Sequence, residues 1–124
     1  MGTNIKKSEK TILIYGLSGM QMLALSSMAE KEGILCKVVS DTQTTLTVAQ
    51  LLSGKEFPPK PAHPLIGKFA LLDGFEDHPQ MATALINQVA SGVIKAIHTK
   101  HNSDWRFSDL CCEIQKEYHT MKRS

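Results

Sequence analysis

Two rhythms of apolar and polar positions take turns along this chain. After a polar start, "TILIY" runs β-forming residues together and stops at Gly16, which predicts a mostly buried strand. In "SGMQMLALSSMAEKEG" the spacing changes to three and four. Met22, Leu25, Met28 and Ala29 recur at helical intervals, with Ser18 as N-cap and Gly33 as the stop. Met20, Met22 and Met28 read as core lining for that helix rather than as an adaptable ligand surface. "ILCKVVS" is a second strand, and "DTQTTLTVAQLLSG" turns from it into a short helix opened by the capping-box pattern Thr47-Val48-Ala49-Gln50.

The rhythm then breaks. "KEFPPKPAHPLIG" holds four prolines, which forbid regular hydrogen bonding and favour extended, solvent-facing chain; it reads as a plain linker, with a Pro-rich ligand for a recognition domain as the lesser alternative. Beyond it, "KFALLDGF" is a strand ending at Asp73-Gly74. A helix comes next across "EDHPQMATALINQVASG", with Pro79 in its tolerant first turn and Gly92 as its end. "VIKAIHT" is the fourth strand. The longest helix is expected from Trp105 to Met121, with Phe107, Leu110, Cys111, Ile114, Tyr118 and Met121 on one stripe and Asp109, Glu113, Lys116 and Glu117 opposite.

The two halves overlay. At a shift of 58, Gly16 falls on Gly74, Leu13 on Leu71 and Leu17 on Phe75. One extra residue makes the shift 59, and then Met22 meets Met81, Gly33 meets Gly92, and Leu46, Val48 and Leu51 meet Trp105, Phe107 and Leu110. This pattern predicts an α/β fold: two pseudo-duplicated β-α-β-α units forming a four-stranded, mainly parallel sheet flanked by helices. The expected layout is an N-terminal arm over 1–10 and one domain over 11–124, divided into a first half 11–53, a linker 54–67 and a second half 68–122.

Composition narrows the function classes. The chain has 124 residues and is 42% hydrophobic, enough for one compact core. Fourteen basic against twelve acidic residues leave a formal charge of +2, which predicts no specific nucleic-acid partner. Cys36, Cys111 and Cys112 show neither a zinc-ligand spacing nor an even count for disulfides, so reduced thiols in a cytoplasm are expected. No apolar run reaches the length of a membrane span, and "MGTNIKKSEK" is too polar for the core of a signal peptide.

In a parallel sheet, ligands bind beyond the carboxyl ends of the strands. The ligand-binding candidates there are Tyr15, Ser40, Asp41, Asp73, His98 and His101, with Asp73 and His98 as the catalytic candidates, a carboxylate and a histidine that together can serve as base and orienter or join His101 around a metal. These are also ordinary residue types for wet turns. His98 and His101 stand three apart, a spacing that shares a metal on a helix, but here one ends a strand and no third ligand is evident; no metal and no cofactor are expected. His63, His78 and His119 join no cluster. "GLSG" at 16–19 sits where a phosphate turn would be, yet lacks a third glycine and a P-loop lysine. Cys111-Cys112 reads as structural cysteine in the last helix.

The C-terminal segment "TKHNSDWRFSDLCCEIQKE" resembles the tail of a family of small bacterial proteins known only as a domain of unknown function, through Thr99, Asn102, Trp105, Leu110, Glu113, Ile114 and Glu117. Gly74-Phe75 extends the resemblance, which spans most of 11–121. Arg106 replaces the Ser or Thr cap of that pattern and Tyr118 its histidine, so no role for the histidine carries over. The resemblance implies a fold and a bacterial origin, and no mechanism.

Two function classes remain. The first is a non-catalytic small-ligand or protein-binding, regulatory module of a bacterial cytoplasm, its partner an unidentified protein or small molecule, with a homodimer among the assemblies it allows. The alternative is a small enzyme or metal-binding protein with a polar site at the strand carboxyl ends, which requires Asp41, Asp73, His98 and His101 within a few ångströms of one another.

Overall fold

The structure, a computed structural model, describes residues 10–123; the expected arm, apart from Lys10, lies outside the described residues. The elements are β1 (Lys10–Tyr15), α1 (Gly19–Lys31), β2 (Ile34–Val38), α2 (Val48–Leu52), β3 (Lys68–Asp73), α3 (Pro79–Val89), β4 (Val93–Ile97) and α4 (Phe107–Arg123), with a 3-10 turn at Asp41–Gln43. Local chemistry accounts for their starts. Ser18 Oγ accepts from Gln21 N at 3.1 Å while the Gln21 side chain accepts from Ser18 N at 3.0 Å, and Thr47 and Gln50 repeat this exchange at the start of α2.

Four strands form one sheet in the order β2-β1-β3-β4. β1 pairs parallel with β2, and β3 with β4, but the central β1–β3 pair is antiparallel, with Leu13 opposite Leu71. The sheet is therefore mixed, which corrects the expectation of a mainly parallel one. The connection between β2 and β3 is the reason. A parallel β3 needs a connection that crosses the length of the sheet, whereas this one stays at the edge it left. The linker brings the chain back to the edge where β1 ends, and β3 starts there beside Tyr15.

Both faces of the sheet are covered, which is why the central strands are continuously apolar through their middles, at 12–15 in β1 and 69–72 in β3, rather than alternating. Ile12, Ile14, Ala70 and Leu72 face α1 and α3, where Leu25, Ala29, Ala82 and Ile86 are buried and Met22 packs against them, whereas Met20, read from the sequence as core lining, is 84% exposed in the first turn of α1. Leu13, Tyr15, Phe69 and Leu71 face α2 and α4 against Val48, Phe107, Leu110 and Cys111. Each fully buried Ile, Leu or Phe contributes roughly 1.5–3 kcal/mol.

The helix starts on the second face are tied to each other. Val48 N donates to Trp105 O at 3.0 Å and Phe107 N to Leu46 O at 2.8 Å; Ala49 N donates to Ser103 O at 2.9 Å and Ser108 N to Thr44 O at 2.8 Å. At a shift of 59 these bonds exchange in pairs, and Thr47 bridges Arg106, the position that the same shift assigns to it. The leading amides of α2 and α4, which no helix can satisfy internally, are thus met by carbonyls of the opposite half.

Two details of the last helix differ from expectation. α4 begins at Phe107 rather than Trp105, because Trp105 and Arg106 are taken up in the bridge; the Trp105 ring is 42% exposed, and Phe107 fills the core instead. The predicted stripe is buried only through its first turns, and Met121 is 75% exposed. Seventeen helical residues extend about 25 Å, whereas the five-residue β4 they run beside extends about 17 Å, so the last turns overhang the sheet.

Candidate functional site

The antiparallel centre divides the six candidate residues. Tyr15, Ser40 and Asp41 lie at and just beyond the ends of β1 and β2 at one edge; Asp73, His98 and His101 lie at and just beyond the ends of β3 and β4 at the opposite edge. Along β1, Tyr15 lies opposite Phe69 and Thr11 opposite Asp73. Those four positions separate the two groups by about 13 Å. The expectation of one polar constellation at a shared carboxyl edge is corrected on this ground.

At the first edge, β1 leaves and β3 starts in contact. Gly16 has φ +95°, and a Cβ there would stand 2.5 Å from Gly67 O, so only glycine fits. Tyr15 packs its ring near Phe69 and Phe107, with centroids 6.5 and 6.4 Å away. Its hydroxyl donates to Asp41 Oδ1 and accepts from Leu65 N at 2.9 Å, tying the β2 loop and the end of the linker to β1. Burial raises the Tyr15 pKa, and the bond to Asp41 raises it further. Ser40 N donates to Gln43 Oε1 at 2.9 Å, which holds the 3-10 turn and with it Asp41. Tyr15, Ser40 and Asp41, with Leu17, Leu65 and Gly67, surround an open groove of about 460 Å³.

At the second edge, His98 Nδ1 lies 2.8 Å from Asp73 Oδ1, and the pair is partly buried. An ionised Asp73 accepts from Nδ1–H and so fixes the tautomer that leaves Nε2 as the basic nitrogen. That is the orienter–base relation in kind. Nε2, however, is buried and bonded to nothing among the described residues, so it meets no solvent-borne substrate. His101 is exposed on the following turn. The turn is closed by Thr99 and Asn102: Thr99 N donates to Asn102 Oδ1 at 2.9 Å, and Asn102 Nδ2 donates to Ile97 O at 3.0 Å. Thr99 and Asn102 thus act on the backbone.

No family model, curated protein or solved structure matches the chain.

Among the described residues no three His, Cys, Asp or Glu side chains gather as metal ligands, and no helix is long and apolar enough to cross a membrane. Sequence reasoning missed Leu65 and Gly67, two linker residues that complete the first edge. The available signal was "PLIG": apolar residues resume immediately after the last proline, where a purely solvent-facing connection has no use for them.

Proposed function

We propose that this protein is a non-catalytic binding module whose small-ligand site is the groove at the β1–β2 edge. The observation that carries the reading is the convergence of Tyr15, Ser40 and Asp41 on that groove at the carboxyl ends of two parallel strands. Tyr15 engages one carboxylate oxygen of Asp41 and positions the other for a ligand that presents hydroxyl or ammonium donors. The enzyme alternative rests on Asp73 and His98, and it is weakened by the burial of Nε2 and by the separation of that pair from Asp41.

The test is amide chemical-shift mapping of the full chain against a panel of small polyols, amines and amino acids. Shifts centred on Gly16, Ser40, Asp41 and Gly67 are expected, and they should vanish in Asp41→Asn. Shifts centred instead on Asp73 and His98, or turnover of a probe lost in His98→Ala, favour the enzyme.

We further propose that the halves descend from one β-α-β-α unit, supported by the paired hydrogen bonds at a shift of 59, and that the chain is a relative of the uncharacterised bacterial family it resembles. Three free thiols support a reducing, cytoplasmic setting.

A further inference from the structure

β4 closes one side of the sheet, with β3 as its inner neighbour. His98 N donates to Leu72 O at 2.8 Å, so the even-numbered residues of this strand turn their backbone groups toward β3, and Val93, Lys95 and Ile97 turn theirs outward. Two outward carbonyls are taken: Val93 O accepts from Lys95 Nζ and Ile97 O from Asn102 Nδ2, both at 3.0 Å. Lys95 N–H, Lys95 O and Ile97 N–H bond to nothing among the described residues. The two sides of this edge differ. Toward α4, Ile94 and Ala96 with Ile114, Tyr118 and Met121 line a groove of about 370 Å³, where the apolar stripe of the helix runs on after the core has ended; Glu117 also borders it. Toward α3, the Lys95 ammonium is held by Asn87 Oδ1 at 3.0 Å and by Val93 O, and meets no carboxylate among the described residues. Its bond to an outward carbonyl puts that charge at the open edge itself.

We infer that this edge takes an extended segment of a partner protein as a fifth strand, with apolar side chains in the α4 groove and a carboxylate on the Lys95 side. Unpaired amides and carbonyls at strand spacing select an extended backbone. The period of two then sorts its side chains, every second one into the groove and those between toward Lys95. Glu117 repels a carboxylate on the groove side and Lys95 attracts one on the other, so the fitting segment alternates apolar and acidic residues. A second copy of this chain does not meet that description. The sheet has two edge strands, and each carries one lysine and no acid: Lys37 in β2 and Lys95 in β4. Whichever edge a second copy brings, it adds a cation beside Lys95, and a lysine on an edge strand discourages such pairing. The acidic strand has to come from another protein.

Amide chemical-shift titration of the full chain tests this, with synthetic peptides of about seven residues in which valine alternates with aspartate or with lysine. The aspartate peptide should move the amides of Lys95, Ile97, Ile114 and Met121, slow hydrogen exchange at Lys95, and bind about tenfold more tightly than the lysine peptide. Lys95→Glu should invert that order and Lys95→Gln should abolish it. The neutral variant keeps a donor for Asn87 Oδ1, so it reads out the charge even where Lys95→Glu disturbs the packing of α3. A proline at a central position of the aspartate peptide should remove binding, because a ladder amide is lost. Absence of shifts with the aspartate peptide at about 1 mM overturns the inference, as do equal affinities for the two peptides, shifts centred on β2, or a preference that survives Lys95→Gln. Exchange at Lys95 that slows with the protein's own concentration also overturns it, assigning the edge to a second copy.

Discussion

The first half of the molecule ends its opening strand on Tyr15, and the second half places Asp73 at the matching position. Each side chain is turned to the α2/α4 face and each finds a partner from the loop after the next strand: Asp41 for Tyr15, His98 for Asp73. The arrangement is shared while the chemistry is not. Tyr15 reaches a third element, the linker at Leu65, and borders an open groove; Asp73 holds an imidazole whose remaining nitrogen is shut away. Positions that keep the same job in both halves, such as Leu13 with Leu71 and Gln43 with Asn102, build the fold. Positions that diverge are where a function can have been added to one half only.

The largest effects should come from the shared positions. Leu13 and Leu71 face each other across the centre of the sheet, both about 1% exposed. Each Leu→Ala substitution should cost about 2–5 kcal/mol in urea unfolding, and the two costs should be alike because the environments correspond. The double variant should depart from additivity by about 0.5–3 kcal/mol, as contacting residues do. Unequal single costs or strict additivity would break the comparison of the halves at its axis.

Those positions were legible in advance because hydrophobic spacing and glycine punctuation are local. Gly33 and Gly92 were read as helix stops and have φ of 74° and 75°. The direction of β3 was not legible. It depends on which edge the linker returns to, and proline-rich chain carries no periodicity that says so. The candidate site inherited that gap: Tyr15, Asp41, Asp73 and His98 were picked out as members of one set, and only the antiparallel register divides them into two pairs. The last helix is expected to open at Trp105, yet the backbone of Trp105 is used in the bridge to α2 and Phe107 takes the core.

A smaller effect sharpens the contrast between the two edges. Tyr15→Phe removes a partly buried hydroxyl that satisfies both Asp41 and the Leu65 amide, and should cost about 1–2 kcal/mol. It should also speed hydrogen exchange at Leu65. Asp73→Asn keeps a neutral acceptor for His98 at a partly exposed site and should cost less than about 1 kcal/mol. The reverse order would mean that the second edge, not the first, anchors its half.

The smallest effect is a dependence on alkaline pH, and the groups responsible again divide unequally between the halves. Tyr15 and Cys36 in the first half and Cys111 in the second are acids whose folded pKa lies above the ordinary value, chiefly because burial disfavours the charged form; Cys36 is pushed up to about 11. An acid with a raised folded pKa binds its proton more tightly in the native state. Its stabilisation is complete below the unfolded pKa, 9.0 for the thiols and 10.0 for the phenol, and is lost as pH rises toward the folded value. Urea midpoints should therefore be flat from neutrality to about pH 9 and fall beyond it. Cys36→Ala should flatten the part of that fall between pH 9 and about 11, and Tyr15→Phe the part above 10, whereas Cys112→Ala, at an exposed position, should leave the slope unchanged. A slope that Cys36→Ala and Tyr15→Phe both leave intact would place the alkaline sensitivity in the second half, at Cys111.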